Sequence, residues 1–530
     1  MRTVQVRLKP YIQPFERVLA GAELAGLCGA SPSPDDAEGL VFTLEANVSA
    51  DELAGRLAYF ESVRDARWLP TLQAFREATV STVRNGIAFT EIRRRLPLGD
   101  EVPLVSRRVL RYGPHGIHEY RGKFFPQLVR ALINASGVRP GSTVADPMMG
   151  SGTAIVESVL AGNKAWGLDI NPLSVLVSRT KVEVLSLDPE TLGETYEFIR
   201  GQVHSDVRPR SCGTRWSMNL PKRDQEYLAS WFSPEALASL DVIMQAINRI
   251  EVPALHHLGM VSLSNILRRV SWQKDDDLRV RKEIRLDIDI DPQKEFLEEF
   301  SRSVKTIMAF LLQEREISIP NWAADEGDAR QASRLWGEET VDLIITSPPY
   351  ATALPYLDTD RLSLTYLGLI PRAEFRARER DMIGNREVSA GLRDAYLARL
   401  EREGDQIPQS VRDVIGTIQR SNEGVEVGFR RRNLPALLAS YFFDMRDVIR
   451  ECYRALKPGA TAFFVVGNNH TVSRGLRIDI LTTRLLEDVA RVEGFEVGEP
   501  LSMEMLASRD IFRRNAVASE EVLTFRKPIL

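Results

Sequence analysis

The sequence predicts an α/β protein organised around a mostly parallel sheet, and two stretches carry that expectation. GSTVADPMMGSGTAIVESVLAGNKAWGLDINPLS reads as a strand (Thr143 to Ala145), a Gly-rich turn, a helix (Ala154 to Ala161) and a second strand (Ala165 to Leu168), which is a βαβ unit. VDLIITSPPY, Val341 to Tyr350, is an apolar run suited to burial inside a parallel sheet, and it stops abruptly at two prolines. Pro348 and Pro349 lack backbone N–H groups and hold φ at about −65°, so the chain must leave the sheet at its carboxyl edge as a stiff turn. In open α/β sheets that edge is where ligands bind.

The remaining elements follow in order. Residues 1–110 read as a small α+β unit suited to packing or substrate docking: RTVQVRL alternates like a strand, FERVLAGAELAGLCG is an amphipathic helix, GLVFTLEA is a strand and DELAGRLAYFESV a second helix. Residues 111–530 hold the parallel sheet. Within them, about 176–320 is helical in pattern, as in SPEALASLDVIMQAINRI and QKEFLEEFSRSVKTIMAFLLQE, and forms an insertion that either carries specificity or buttresses the sheet. Trp272 in that insertion is expected to be exposed. Residues 371–432 are polar and turn-rich, which suggests a mobile lid or substrate loop. LLASYFFDMRDVIRECYRAL then reads as a helix, TAFFVVGNN as a buried strand, and the C-terminal part as one more helix with closing strands.

Composition narrows the function. With 530 residues, 44% hydrophobic and 27% charged, the chain belongs with soluble globular proteins of two or three domains. No apolar run reaches the length of a membrane span and the N-terminus has no apolar signal core, so a cytoplasmic location is expected. Cys28, Cys212 and Cys452 are scattered without metal-ligand spacing, so no metal site is expected and each reads as a buried small hydrophobe. Net charge is −4, so nucleic-acid binding would have to rest on local patches. Candidates are Arg93 to Arg95; Arg279, Arg281, Lys282 and Arg285; Arg430 to Arg432; and Arg513 with Arg514, each of which also reads as a solvated face.

The chemistry-bearing residues cluster at strand ends. Gly150 and Gly152 let the backbone approach a ligand at a helix N-terminus, and Asp169 can accept hydrogen bonds from both hydroxyls of a ribose. Asp146 stands where an incoming phosphate would be repelled, so the site suits a cationic nucleoside better than a pyrophosphate. Asp328, another strand-end acid, is placed to accept from an adenine amino group. The turn at Ser347 offers a hydroxyl, a carbonyl between prolines and the face of Tyr350, which suits a planar ring with an exocyclic amine; an ordinary strand-ending turn with a packed Tyr reads equally well from these residues alone.

Taken together, KFFPQ, DPMMGSGT with GLDINPLS, GDAR, TSPPYATALPYLDTDRLSLTYLG and LKPGATAFFVVGNN resemble the S-adenosylmethionine-dependent DNA amino-methyltransferases of the cytosine-N4 and adenine-N6 type, over roughly His118 to Lys527. The resemblance implies a Rossmann-like methyltransferase fold with a mainly helical insertion, a cofactor pocket of Lys123, Phe124, Asp146, Pro147, Gly150, Gly152, Asp169, Asn171 and Asp328, and a catalytic turn of Ser347, Pro348, Pro349 and Tyr350. It implies S-adenosyl-L-methionine as cofactor, and SPPY followed by RLSLTYLG points to cytosine N4 in DNA within restriction-modification. DNA is favoured over RNA as partner, no membrane is expected, and the identity of any restriction or defence partner stays open. Residues 1–110 lie outside the resemblance, and LAGAELAGL resembles the N-terminal region of tRNA guanine-N2 methyltransferases, although those usually carry Asp or Asn where this chain has Ser347. A third reading is an inactive chain that only binds nucleic acid.

Overall fold

Apolar runs bounded by turn residues become strands, numbered in chain order: β1 (Arg2–Leu8), β2 (Val41–Ala46), β3 (Phe60–Arg64), β4 (Trp68–Pro70), β5 (Thr143–Asp146), β6 (Lys164–Asp169), β7 (Trp322–Glu326), β8 (Val341–Thr346), β9 (Leu456–Gly467), β10 (Asn469–Ser473), β11 (Leu476–Ile480), β12 (Glu496–Val497), β13 (Leu501–Glu504) and β14 (Ser519–Arg526). The computed structural model describes residues 2–29, 34–36, 38–84, 86–99, 102–103, 107–119, 124–204, 215–274, 281–284, 290–314, 317–351, 356–385, 388–424, 426–473, 476–504 and 519–529. Lys123, Cys212, Arg279, Arg285, Arg513 and Arg514 lie outside the described residues.

The main sheet has the order β12-β14-β9-β8-β5-β6-β7, with β13 also paired to β14. Strands β7, β6, β5, β8 and β9 are mutually parallel, and β14 is antiparallel to β9. This is a Rossmann-like α/β sheet. From β5 the chain proceeds to β6 and β7 on one side and then returns to β8 on the other, so β5 and β8 are the neighbours at which strand order reverses. A crevice opens at the carboxyl ends of such a pair. Register keeps those ends level: Ala145 lies opposite Ile344, Asp146 opposite Gly167 and Asp169 opposite Glu326.

Among the described residues between β6 and β7 lie six long helices, Pro172–Glu183, Pro189–His204, Lys222–Trp231, Pro234–Ile247, Pro253–Leu267 and Pro292–Glu314. The last buries Phe296, Phe300, Val304, Ile307, Phe310 and Leu311 at helical spacing, and helices Pro189–His204, Pro234–Ile247 and Pro253–Leu267 pack around it. Trp272 is half-buried, against expectation, because the Lys282 ammonium sits 5.1 Å over its ring and covers it.

The N-terminal strands form a separate antiparallel sheet, β2-β1-β3-β4. The helix expected over DELAGRLAYFESV stops at Arg56, and Phe60–Arg64 is a strand instead. Pairing with β1, which sets Val6 opposite Val63, overrides the helical spacing of that segment. Helix Pro14–Cys28 packs this unit against helix Pro126–Ala135. At the contact the fully buried Glu23 carboxylate accepts from Ala58 N–H (2.9 Å), Tyr59 N–H (3.1 Å) and Asn134 Nδ2 (3.0 Å).

Residues 371–432, expected as a loop, contain the helices Phe375–Asp381, Ala390–Glu403 and Gln409–Asn422. Val411, Ile415 and Ile418 are the buried stripe of the third, and the polarity that suggested a loop is its solvent face. Cys452 is buried, whereas Cys28 is only half-buried. No described helix is long and apolar enough to cross a membrane.

Candidate active site

Four strand ends converge on one cleft. It encloses about 840 Å³, part of it open solvent, and its walls come from the turn after β5 (Pro147 to Ser151, with Thr153), the end of β6 (Asp169 to Asn171), the end of β7 (Gly327 to Ala329) and the turn after β8 (Ser347 and Pro349), closed by Phe124 and by Asp381 to Ile383.

The Gly-rich turn has the shape it has because only glycine fits. Gly150 and Gly152 have φ of 49° and 72°, and a Cβ on Gly152 would lie 2.6 Å from Ser178 Oγ on the next helix. Asp169 organises the turn from the neighbouring strand: its carboxylate accepts from Gly150 N–H (2.9 Å) and from Asn171 N–H (2.8 Å). Burial pushes its carboxyl up to about 6, against those two amides. Asp146 lies beneath the turn, fully buried, accepting from Met148 N–H at 3.0 Å. Burial pushes it up to about 7, while the Thr346 hydroxyl and the Met148 amide pull it down and the charge of Asp169 adds to the rise.

Asn171 caps helix Pro172–Glu183 by accepting from Leu173 N–H (3.1 Å), and its Nδ2 donates to Asp360 (3.0 Å), in the segment that follows the SPPY turn. Asp328 is gripped by Arg330, whose Nη2 lies 2.7 Å from Oδ2. The same guanidinium donates to Asp444 (2.9 Å) and to the Asp381 carbonyl (2.8 Å), so one side chain fixes both acidic rims of the cleft.

Of the sequence-predicted residues, Phe124, Pro147, Gly150, Asp169, Asn171, Asp328, Ser347 and Pro349 line the cleft. Asp146, Gly152 and Pro348 shape it from behind. Tyr350 does not line it: the ring packs against the core around helix Phe429–Ala455, and its hydroxyl donates to Glu520 at the start of β14. Burial raises the Glu520 carboxyl above its ordinary value, and the Tyr350 phenol lowers it in part. Sequence reasoning missed Asp381 to Ile383, Arg330 and Glu520. Arg330 had a signal in the GDAR stretch; the others sit in segments with no local mark.

Among the described residues the cleft is lined by the acids Asp169, Asp328 and Asp381 and by no Lys or Arg. Such a lining fits a cation carrying a ribose and repels a phosphate. A family model described as UPF0020: RMKL-like, methyltransferase domain matches residues 118–182, which include the Gly-rich turn, Asp169 and Asn171. The chain is 26% identical to the type II methyltransferase M.MvaI of Kocuria varians over 385 residues, covering 70% of this chain and 81% of that protein. This chain is an S-adenosylmethionine-dependent methyltransferase. The methyltransferase is also 23% identical to the type II methyltransferase M.BsoBI of Geobacillus stearothermophilus over 436 residues, 74% of this chain and 82% of that one. Over 52 residues, 10% of this chain and 16% of the relative, it is 38% identical to a tRNA (guanine(10)-N2)-dimethyltransferase of Methanothermobacter thermautotrophicus.

S-adenosylmethionine supplies a methyl group already activated on a sulfonium. The residues that would hold it are Asp169 for the ribose hydroxyls, the Gly150 turn for the methionyl part, and Phe124, Ile170 and Asp328 for the base. The lining supports that fit, since Asp169 and Asp328 present acids in the cleft beside the Gly150 turn.

Proposed function

We propose that this methyltransferase modifies the exocyclic amine of a nucleobase, cytosine N4 in DNA, in the cytoplasm and within a restriction-modification setting. The observation that carries the reading is that Ser347 and Pro349 share one cleft with Asp169 and the Gly150 turn, so acceptor turn and cofactor turn face the same space. Cytosine's amine is a poor nucleophile because its lone pair is delocalised into the ring. A turn that accepts hydrogen bonds from both amino N–H groups, at the Ser347 hydroxyl and the Pro348 carbonyl, favours a tetrahedral nitrogen, and fixing two reactants in register removes several kcal/mol of barrier. Ser347 is neutral and can also donate to the ring N3 acceptor, which a carboxylate cannot. A duplex base reaches the cleft by flipping out. The type II class of the Kocuria and Geobacillus relatives supports DNA as the polymer.

The short match to a tRNA guanine-N2 enzyme supports a second reading, with RNA as the polymer. Incubation with labelled S-adenosylmethionine and separate pools of DNA and tRNA, followed by nucleoside digestion, distinguishes the two. Label in N4-methylcytosine from DNA is expected; label in N2-methylguanosine from tRNA alone supports the second.

A further inference from the structure

A second cavity lies beside the cleft, and its wall is cationic. Arg223 on helix Lys222–Trp231, Arg361, Arg372 and Arg376 converge on it, together with Glu379. Arg361 pairs with Asp358, and the charges of Glu379 and Asp224 reach Arg372, so four guanidinium groups face three carboxylates. Among the described residues Arg223, Arg372 and Arg376 form no salt bridge. Arg372 is held in place by aromatic contact, its guanidinium 4.3 Å from the Tyr227 ring and 4.4 Å from the Phe375 ring, and its backbone N–H donates to Asp224 at 2.9 Å. Its buried Nη1 has no acceptor. Burial, with the nearby charge of Arg361, lowers the Arg372 guanidinium from its ordinary value. A stacked, pre-set guanidinium among like charges is the arrangement that recognises a phosphate oxyanion.

The cavity is joined to the cleft by short, stiff links. Helix Phe375–Asp381 carries Arg376 and Glu379 into the cavity and Asp381 into the cleft. Its length of six residue steps spans about 9 Å, roughly three nucleotides of one strand at about 3.4 Å each. Arg361 follows Asp360, which receives the Asn171 amide at 3.0 Å. We propose that the cavity of Arg223, Arg361, Arg372 and Arg376 binds a backbone phosphate of the polymer substrate a few nucleotides from the target base. The proposal rests on the nucleic-acid reading above, and it gives the helix Lys222–Trp231 of the insertion a part in binding. The four arginines lie in three separate segments of the sequence, so no run of basic residues announces them.

The test compares the unaltered enzyme with Arg372→Gln/Arg376→Gln and with Arg376→Glu alone, a change at the exposed rim that leaves the core untouched. Binding of a short DNA duplex and of tRNA is measured over a salt series, cofactor affinity is titrated in parallel, and thermal shifts with inorganic phosphate are recorded. The expected result is unchanged cofactor affinity with weaker polymer binding, the slope of log affinity against log salt falling by about 0.9 for each phosphate that the variant no longer neutralises. If only tRNA binds and its slope falls, the cavity stands and the DNA reading fails. An unchanged slope for the polymer that binds overturns the cavity proposal, as does a site that responds to free phosphate alone. Binding of neither polymer by the unaltered enzyme overturns it as well.

Discussion

Gly150 donates its N–H to Asp169 Oδ2 at 2.9 Å, tying the turn that ends β5 to the acid that ends β6. Asp169 therefore both shapes the cofactor turn and presents its carboxylate to the cleft. Asp169→Ala is expected to weaken S-adenosylmethionine binding with the fold intact, since each charge-assisted hydrogen bond removed is worth roughly 1.5 to 3 kcal/mol. Isothermal titration beside a thermal melt measures both; unchanged affinity in a folded variant would mean the ribose lies elsewhere.

The raised carboxyls give cofactor binding a pH dependence. The ionised form of Asp169 is the one that attracts a cation and accepts from hydroxyls, and its folded value is about 6. Affinity is expected to be flat above that value and to fall below it, by up to about tenfold per pH unit for one linked proton. The free protein behaves oppositely: Asp146 and Asp169 are raised, so the stability they contribute is present below the unfolded value of about 3.9 and is lost as pH rises through about 6 to 7. Asp169→Asn should abolish its share of both trends in titrations from pH 5 to 8.

A buried ion cluster supports the cofactor helix from behind. Glu157, on helix Thr153–Leu160, accepts from Arg130 Nε (2.9 Å), from Tyr112 Oη (3.0 Å) and contacts His115 Nε2 (2.8 Å). Burial alone would push its carboxyl up, but the charge of Arg130 and the His115 hydrogen bond hold it at about 2. Its contribution is present above the unfolded value of about 4.3 and is lost as pH falls through about 2. Glu157→Ala strands Arg130 and is expected to cost about 3 to 5 kcal/mol in urea unfolding. A loss below about 1 kcal/mol would show that water replaces the carboxylate.

Much of this site was readable from sequence, for identifiable reasons. The ends of β5, β6 and β8 are announced by local chemistry, since glycines, prolines and acids follow directly on apolar runs. The strand Phe60–Arg64 was hidden because its identity depends on pairing with β1, nearly sixty residues earlier in the chain. Asp381 reaches the cleft only because Arg330 and the helix before it set its position. Glu520 meets Tyr350 through the antiparallel return of β14 beside β9, a relation that neither segment records by itself.

Tyr350 ties the SPPY turn to the sheet instead of facing the cleft. Tyr350→Ala removes a ring packed against the core and the donor to Glu520, and is expected to lower stability by about 1 to 3 kcal/mol. Tyr350→Phe keeps the ring and removes only the donor to Glu520, so it should retain most of the packing. Urea unfolding of the two variants separates ring from hydroxyl; unchanged stability in the Ala variant, with weakened polymer binding, would instead assign the ring to the substrate.

In the proposed reaction the Ser347 hydroxyl would act on the amine chiefly as the nitrogen becomes tetrahedral. Nucleoside mass spectrometry of DNA and tRNA from cells expressing the unaltered chain, beside cells expressing Ser347→Ala, identifies polymer, base and atom at once. The expected result is N4-methylcytosine in DNA that disappears, or nearly so, with Ser347→Ala while cofactor affinity holds. N2-methylguanosine in tRNA with no modified cytosine in DNA would contradict it.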